Sequence, residues 1–311
     1  MTWSPQVAVL IPCLDEEAAI GKVVTSFRHC LPAAIVFVYD NASTDRSAEK
    51  ARAAGAVVRS EPLRGKGNVV RRMFADIEAD VYVLVDGDDT YDADSASALI
   101  SRLIDESQDM VIGARSEQSD RAYRRGHRSG NRMLNGLVAQ FFGARVNDML
   151  SGYRIMSRRF VKSFPALAIG FEIETELTVH ALQLRLPMSE SPTPYKERAA
   201  ASPSKLRTIP DGIRIIRLIA RLIREEKPLE FFSAVAALLA IASVVFAIPV
   251  VATYMETGLV PRFPTAILSV GLMLVAALSL VCGLILATVT RGRMEMKRLQ
   301  YLNIPIRIPR T

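Results

Sequence analysis

Short apolar runs alternate with polar or amphipathic segments through the first third of the chain. The runs rich in β-branched or aromatic residues, which predict buried strands, are residues 6–11, 34–39, 56–59, 81–85 and 109–112. The segments between them that predict helices are residues 15–30, 46–54, 69–79 and 94–106. This alternation predicts an α/β fold, Rossmann-like, in which a mainly parallel sheet carries helices on both faces.

Three further elements are predicted beyond this alternation. Residues 148–154 form a polar turn that leads into a short strand, and a helix begins at residue 171 with acidic residues at its start. Residues 188–195 contain two prolines and predict an extended strand at the edge of the sheet, because proline cannot donate a hydrogen bond to a central strand. We therefore place the α/β domain at residues 1–210.

The last third of the chain contains two long apolar segments without charge. Residues 231–254 and 265–289 each exceed the roughly 20 residues that span a bilayer core. Lysine and arginine residues precede the first segment and follow the second. The positive-inside rule then predicts a transmembrane hairpin at residues 229–290, with both termini and a basic tail, residues 291–311, in the cytoplasm.

A stripe of arginines precedes this hairpin in residues 211–228. Arg214, Arg217, Arg221 and Arg224 recur at three and four residues, opposite a face rich in isoleucine and leucine. Such a basic amphipathic helix is typical of a segment that lies on an anionic membrane surface. The alternative is a helix that packs on the α/β domain.

Composition supports the membrane interpretation. Half of the 311 residues are hydrophobic, and the net charge is +7. A basic excess suits nucleic acid or an anionic membrane, and the apolar C-terminal third favours the membrane over nucleic acid. The three cysteines are widely spaced and predict neither a disulfide framework nor a zinc site. The first residues lack the pattern of a signal peptide, so we expect the α/β domain in the cytoplasm.

Carboxylates follow several of the predicted strands. Asp86, Asp88 and Asp89 come directly after the run at 81–85, and Asp40 ends the run at 34–39. Ligands bind at the carboxyl ends of strands in open α/β sheets. Carboxylate oxygens suit Mg²⁺ or Mn²⁺, which would in turn bind a diphosphate. The acids at residues 15–17 predict either a ligand role or favourable charges in the first turn of a helix.

Basic residues accompany this acidic edge. Lys66 lies between two glycines, which allows the chain to approach an anion closely, although the P-loop spacing is absent. Arg115 closes the strand at 109–112, and residues 121–132 are strongly basic. That basic run predicts either a solvated face or a phosphate site. The first strand is followed by no Gly-x-Gly-x-x-Gly, which argues against a dinucleotide-dependent dehydrogenase.

These features together predict a glycosyl transfer. A metal at the acidic edge would neutralise a leaving nucleoside diphosphate, and the basic residues would hold an anionic acceptor. The predicted hairpin implies that the acceptor is a lipid, and a lipid phosphate satisfies both constraints. A phosphate monoester is largely ionised near neutral pH, so it does not require a strong general base.

The chain resembles the family 2 glycosyltransferases of GT-A fold, and within them the polyprenyl-phosphate or dolichyl-phosphate hexosyltransferases. The resemblance covers residues 6–210. The segments that carry it are Pro12 with Asp15-Glu16-Glu17, Asp40 to Asp45, Arg64-Gly65-Lys66-Gly67, Asp86-Gly87-Asp88-Asp89 and Ser151-Gly152-Tyr153-Arg154. It implies an inverting transfer of a hexose from a nucleotide sugar to a polyprenyl phosphate at the cytoplasmic leaflet.

The resemblance also implies roles for residues. The residues expected to act in catalysis are Asp86, Asp88 and Arg115, of which Asp86 and Asp88 would bind the metal. The residues expected to bind the nucleotide sugar are Pro12, Asp15, Glu16, Asp40, Lys66, Asp86, Gly87 and Asp88. The residues expected to bind the acceptor phosphate are Arg115, Arg128, Asn131, Ser202, Lys205 and Arg207. Donors carrying UDP are favoured over GDP-mannose, and homo-oligomers are expected by analogy alone.

Several alternatives remain open at the level of sequence. Transfer to a neutral lipid acceptor would need a base, for which Glu174 or Asp89 are the candidates. A non-catalytic, membrane-anchored subunit of the same fold is disfavoured by the intact acids at 86 and 88. The Gln-x-x-Arg-Trp motif of processive polysaccharide synthases is absent, since the single tryptophan is Trp3.

Overall fold

The computed structural model describes residues 5–117, 146–196 and 227–305. The chain forms two compact units, Met1–Ile216 with Lys297–Thr311, and Arg217–Met296. The predicted basic stripe of residues 214–224 lies outside the described residues, as does the basic run at 121–132. The boundaries of the predicted domains therefore stay predictions.

The first unit contains the strands and helices of the predicted α/β domain. Its strands are β1 (Val7–Cys13), β2 (Ile35–Asp40), β3 (Val57–Ser60), β4 (Val81–Leu84), β5 (Met110–Glu117), β6 (Arg154–Ser157) and β7 (Met188–Tyr195). Its helices are α1 (Ile20–Cys30), α2 (Ser47–Ala53), α3 (Lys66–Asp76), α4 (Ser95–Asp105), α5 (Arg158–Ser163) and α6 (Ile173–Leu184). The alternation predicted from the apolar pattern is confirmed.

The seven described strands form one sheet in the order β3-β2-β1-β4-β6-β5-β7. Neighbouring strands are parallel except at β6, which runs antiparallel to both β4 and β5. The other six strands therefore end at the same side of the sheet, which we call the carboxyl edge. Because β6 runs the opposite way, it begins at the carboxyl edge, and the loop before it lies there too.

Apolar side chains from β1, β4 and β6 form the core beneath this edge. Val9, Val83 and Ile155 are fully buried and belong to one cluster that α1 and α4 cover. Burial of such a side chain stabilises the fold by about 1.5–3 kcal/mol relative to exposure. The core thus fixes the positions of the strand ends that carry the acidic residues.

The structure corrects two predicted boundaries. The helix predicted from residue 15 begins at Ile20, and its first turn contains no acidic residue, so the capping interpretation of Asp15 to Glu17 is wrong. The strand predicted at 109–112 extends to Glu117, because the whole of β5 pairs with β7 as far as Tyr195. Pairing between distant segments lengthens a strand in a way that local periodicity does not reveal.

Among the described residues, two helices are long and apolar enough to cross a membrane. They are α7 (Pro228–Thr257) and α8 (Phe263–Asn303), each containing an 18-residue window of mean hydropathy 2.7. Most of their apolar side chains are exposed, such as Leu238 and Leu278. These helices contain the two predicted spans and are consistent with a hairpin.

Candidate active site

The carboxyl edge brings together the acidic residues that end separate strands. Asp86 follows β4, and its side chain is 29% exposed. Asp40 is the last residue of β2, which pairs in register with β1 so that Asp40 lies opposite Cys13. The sequence prediction that these acids share one edge is therefore confirmed by the direction of their strands.

Lys66 links Asp86 to a third acid at this edge. Its ammonium forms ion pairs with the carboxylate of Asp86 and, at 2.5 Å, with Oε1 of Glu174. Burial by itself disfavours the ammonium, but the two carboxylates outweigh burial and raise the pKa of Lys66 above its ordinary value. Burial also raises the pKa of Glu174, while Lys66 opposes that shift. Lys66 is therefore a charged, buried cation beside the acidic edge.

The backbone around Lys66 requires glycine on both sides. Gly65 has φ +128°, a conformation that residues with a Cβ rarely adopt, and its N–H donates to Oδ1 of Asn41 at 2.7 Å. A Cβ at Gly67 would lie 2.7 Å from the carbonyl carbon of Ala168. The two glycines thus allow α3 to begin at Lys66 with its ammonium directed to Asp86.

Asp88 and Asp89 face different surroundings from Asp86. Asp88 is 2% exposed, and its Oδ1 accepts hydrogen bonds from the N–H and the hydroxyl of Thr90. Asp89 adopts φ +59° and forms an ion pair with Lys22, whose side chain is mostly exposed. This ion pair lies on the surface of the turn. Asp89 therefore pairs with Lys22, whereas Asp86 pairs with Lys66.

The loop before β6 lies against Asp86. A Cβ at Gly152 would lie 2.9 Å from Cγ of Asp86, so only glycine fits there without a shift. The N–H of Gly152 donates to the hydroxyl of Tyr91 at 2.8 Å. The buried guanidinium of Arg154 donates to the carbonyls of Met149 and Ser151. These bonds fix the backbone that limits one side of the Asp86 carboxylate.

Hydrogen bonds join the loop after β1 to the loop after β2, where we predicted the nucleoside pocket. Oδ1 of Asp15 accepts from the N–H of Thr44 at 2.7 Å, and the N–H of Asp15 donates to Ser43. Glu16 is buried, and its N–H donates to Ser47. Asp15 and Glu16 therefore belong to the surface formed by these two joined loops, which we call the wall, instead of starting a helix.

Three further predicted positions, Pro12, Asp40 and Gly87, lie at or near the ends of β1, β2 and β4. Oδ1 of Asp40 is buried without a hydrogen-bond partner among the described residues. A buried acceptor of this kind is suited to a ribose hydroxyl or a base N–H. A Cβ at Gly87 would lie 3.6 Å from the carbonyl oxygen of Pro12, which shows how closely the loop after β4 approaches β1.

Arg115 lies near the end of β5, the strand between β6 and β7. Its guanidinium forms a bidentate pair with Asp148, with Nε–Oδ2 and Nη2–Oδ1 distances of 2.7 and 2.6 Å. It also lies 5.5 Å from the ring centroid of Tyr195. Burial favours the neutral acid, but Arg115 outweighs it and lowers the pKa of Asp148. Arg115 thus already has an acidic partner at the place where we predicted contact with the acceptor phosphate.

The other predicted acceptor ligands cannot be placed. Arg128, Asn131, Ser202, Lys205 and Arg207 lie outside the described residues.

The described acids fit a divalent cation that takes part of its ligands from a substrate. No group of three or more His, Cys, Asp and Glu side chains arranged to hold a metal occurs among residues 5–117, 146–196 and 227–305. Asp86 and Asp88 supply oxygen donors only, as Mg²⁺ and Mn²⁺ prefer. Such cations are commonly held by one or two carboxylates together with substrate phosphates and water.

Sequence reasoning missed two residues of this site and gave a third a different role. Tyr91 is placed by a hydrogen bond to Gly152, 61 residues further along the chain, which no local pattern signals. Arg154 belongs to the motif at residues 151–154, but no local pattern signals that its guanidinium donates to backbone carbonyls. The sequence suggests Glu174 only as a base, whereas the structure pairs this buried acid with Lys66, 108 residues away.

The chain is similar to proteins of one family. The model for "Glycosyl transferase family 2" matches residues 8–164, slightly more than half of the chain. Glycosyltransferase AglJ of Haloferax volcanii is 35% identical over 74% of this chain and 76% of its own length. The dolichyl-phosphate hexose transferase of the same organism is 28% identical over 71% of this chain and 95% of its own length.

A solved structure shares the fold. Glucosyl-3-phosphoglycerate synthase from Mycobacterium tuberculosis superposes with a TM-score of 0.57 at 23% identity, over 70% of this chain and 80% of that chain. One structure of that synthase contains Mn²⁺, UDP-glucose and phosphoglyceric acid. The fold, the family match and the similarity to AglJ lead to one conclusion: this chain belongs to glycosyltransferase family 2 and has the GT-A fold.

Proposed function

We propose that the enzyme transfers a hexose, with inversion, from a nucleoside diphosphate sugar to a polyprenyl phosphate at the cytoplasmic face of the cell membrane. One observation carries the donor part of this proposal. The ammonium of Lys66 and the partly exposed carboxylate of Asp86 lie together at the carboxyl edge, where a diphosphate and its cation both find a partner of opposite charge.

We assign the predicted donor contacts to residues at this edge. The wall of Asp15, Glu16 and Asp40 receives the nucleoside, and Lys66 holds the diphosphate. Asp86 and Asp88 hold Mg²⁺ or Mn²⁺, which, when bound, neutralises charge on the leaving diphosphate. The synthase that contains Mn²⁺ with UDP-glucose supports a UDP-sugar as donor over GDP-mannose.

The acceptor phosphate supplies the nucleophile without a protein base. One of its oxygens forms the new bond to the anomeric carbon, while the bond from that carbon to the diphosphate breaks and its electron pair leaves with the nucleoside diphosphate. The phosphate is already ionised near neutral pH. Arg115, and the predicted cations Arg128 and Lys205, orient it by charge-assisted hydrogen bonds.

The helices α7 and α8 are long and apolar enough to cross a membrane, which supports a lipid acceptor. The name of the dolichyl-phosphate hexose transferase, which covers 71% of this chain, points the same way. Both acids that were considered as a base for a neutral lipid acceptor, Glu174 and Asp89, form ion pairs with lysines. Their engagement favours the phosphate acceptor over a neutral hydroxyl.

A donor and acceptor panel tests this proposal. Full-length protein in native membranes is supplied with radiolabelled UDP- or GDP-sugars and Mg²⁺ or Mn²⁺, and with polyprenyl phosphate, polyprenol or diacylglycerol. We expect the extracted lipid to carry label only where polyprenyl phosphate is the acceptor. Label in polyprenol or diacylglycerol at an equal rate would refute the proposed acceptor.

The replacement Asp88→Ala tests the metal assignment. We expect transfer to fall below about 1% of the wild-type rate, because the protein loses a carboxylate that would hold the cation which neutralises the leaving diphosphate. The control is Asp105→Ala at the exposed end of α4, which should leave turnover unchanged. Undiminished turnover of folded Asp88→Ala would show that Asp88 has no role in the donor site.

A further inference from the structure

The ammonium of Lys66 is shared between two carboxylates of unequal accessibility. The side chains of Lys66 and Glu174 are 8% and 5% exposed, whereas that of Asp86 is 29% exposed. Lys66 therefore has one partner in the interior and one that a ligand can reach. Of the two partners of Lys66, Asp86 is the more accessible to a ligand.

Asp86 offers little room for two cations. One of its oxygens is engaged by Lys66, and the backbone of Gly152 limits the approach to its carboxylate, since a Cβ there would lie 2.9 Å from Cγ. A divalent cation held by Asp86 would also repel the nearby ammonium, because like charges at contact distance raise the energy of both. Lys66 and such a cation are thus alternatives at this carboxylate.

Glu174 depends on Lys66 for its charge balance. Its Oε1 accepts from Lys66 at 2.5 Å, and its Oε2 is buried without a hydrogen-bond partner among the described residues. The neighbouring cation Arg154 interacts electrostatically with Glu174, but its guanidinium donates its hydrogen bonds to backbone carbonyls. An uncompensated buried carboxylate is costly, so Glu174 retains the ammonium when Lys66 leaves Asp86.

We propose that Lys66 and a divalent cation compete for the Asp86 carboxylate, and that Glu174 is the positioning residue that keeps the displaced ammonium beside the donor diphosphate. This proposal rests on the proposed function, because it assigns the donor diphosphate to this edge. Lys66 thus exchanges one anionic partner for another during donor binding. If this exchange occurs, Lys66 weakens the binding of the metal and strengthens the binding of the nucleotide.

Two binding measurements on the full-length protein in detergent test this exchange without an assay of transfer. The first follows Mn²⁺ alone by electron paramagnetic resonance. We expect Lys66→Met to bind Mn²⁺ about tenfold more tightly, because the competitor is gone, and Glu174→Gln to bind it about tenfold more weakly, because Lys66 then has only Asp86 as a charged partner. The second follows UDP at saturating Mn²⁺ by calorimetry, where Lys66→Met should lose about tenfold in affinity.

The double variant Lys66→Met with Glu174→Gln distinguishes competition by Lys66 from direct electrostatic attraction between Glu174 and Mn²⁺. It leaves neither buried charge unpaired, so it remains informative if Lys66→Met alone fails to fold. Competition predicts that Glu174→Gln has little effect on Mn²⁺ binding once Lys66 is absent. The double variant should therefore bind Mn²⁺ about a hundredfold more tightly than Glu174→Gln alone.

A matched control and the contrary outcomes complete the test. Glu78→Gln removes the acid from another lysine pair, Lys162–Glu78 at 2.8 Å, and should change neither affinity. An equal loss of Mn²⁺ affinity from Glu174→Gln with and without Lys66 would overturn the exchange, as would unchanged Mn²⁺ affinity in the double variant. Wild-type protein that binds neither Mn²⁺ nor UDP or GDP would instead overturn the proposed donor site, and this inference with it.

Discussion

Gly152 and Asp86 are in such close contact that the side chain at position 152 decides the position of the carboxylate. A methyl group there would lie 2.9 Å from Cγ of Asp86 and even nearer to one of its oxygens. The loop cannot easily retreat, because Tyr91 accepts the N–H of Gly152 at 2.8 Å. The position of the Asp86 carboxylate therefore depends on having glycine at position 152.

The replacement Gly152→Ala should lower kcat/KM for transfer at least tenfold, because Asp86 must turn away from Lys66. The folded state should lose about 1–3 kcal/mol through overpacking. Transfer kinetics and thermal unfolding in detergent measure the two effects. The control is Gly21→Ala in α1, where the nearest atom to the added methyl group is 3.9 Å away. Equal kinetics for the two variants would contradict the proposed role of this contact.

Arg115 and Asp148 give a second prediction, on the pH dependence of stability. Arg115 lowers the pKa of Asp148 in the folded protein against the effect of burial. A depressed acid contributes stability above its unfolded pKa, and that stability is lost as the pH falls through the folded pKa. Arg115→Met should therefore cost about 3 kcal/mol near neutral pH, and the deficit should shrink once the medium is acidic enough to protonate Asp148.

Thermal unfolding from about pH 7 to about pH 3, below the ordinary pKa of aspartate, measures this window. Arg72→Met is the control, since Arg72 pairs with Asp76 on the surface of α3, and such pairs contribute about 0–1 kcal/mol. A deficit in Arg115→Met that is independent of pH would show that packing against Tyr195, and not the ion pair, makes the larger contribution.

At the scale of elements, β6 determines the form of the site. It is the one described strand that runs against its neighbours, so the loop before it reaches the carboxyl edge from the opposite direction. Its first residue, Arg154, pairs with Leu84 of β4 and Ile112 of β5. This placement brings Gly152 to the end of β4, where Asp86 is.

The end of α8 is a second element with a defined role in the first unit. The hydroxyl of Tyr301 donates to Asp109 at 2.7 Å, and the guanidinium of Arg159 lies 4.8 Å from the centre of the Tyr301 ring. Asp109 also accepts from Ser157 at the end of β6. The C-terminal residues thus contribute to the same hydrogen-bond network as the start of β5.

Tyr301→Phe should lower the free energy of unfolding by about 2 kcal/mol, the usual contribution of a hydrogen bond to a charged group. Thermal unfolding of the full-length protein in detergent, with hydrogen exchange of β5, measures the loss. Tyr254→Phe in α7, where the ring is 52% exposed, should change stability by less than about 0.5 kcal/mol. Identical unfolding of both variants would mean that this contact does not contribute to the stability of the first unit.

At the scale of the whole molecule, the sequence predicts that charge as well as apolar surface binds the protein to the membrane. Arg214, Arg217 and Arg221 belong to the basic stripe, which lies outside the described residues. Each arginine near an anionic leaflet contributes about 1 kcal/mol of attraction. We expect the glutamate replacements of these three residues to abolish the increase in transfer that anionic lipid gives to wild-type protein.

Transfer rates of full-length protein in bilayers of graded anionic lipid content measure this effect. The control is Arg52→Glu on the exposed side of α2, which should retain the wild-type response. A triple variant that still responds fully to anionic lipid would favour the alternative, in which this helix packs on the catalytic domain.

The pattern of apolar and polar residues determined the alternation of strands and helices and the two long apolar helices. It also determined the row of acids at one edge, because these acids follow the predicted strands. These features follow from local periodicity and from the rule that parallel strands end together. The motifs at residues 12–17, 40–45, 64–67, 86–89 and 151–154 carried the resemblance to family 2, which the family model matching residues 8–164 confirms.

Only the tertiary structure decided how those pieces meet. The reversal of β6, the pairing of Lys66 with Glu174 from α6 and the hydrogen bond from Gly152 to Tyr91 join residues that lie 61 to 108 positions apart. The acids at 15–17 look like helix caps in sequence, but the carboxylates of Asp15 and Glu17 accept hydrogen bonds from the backbone of Thr44 and Arg46 in the next loop. Contacts over such separations depend on the path of the whole chain and leave no periodic signal in the sequence.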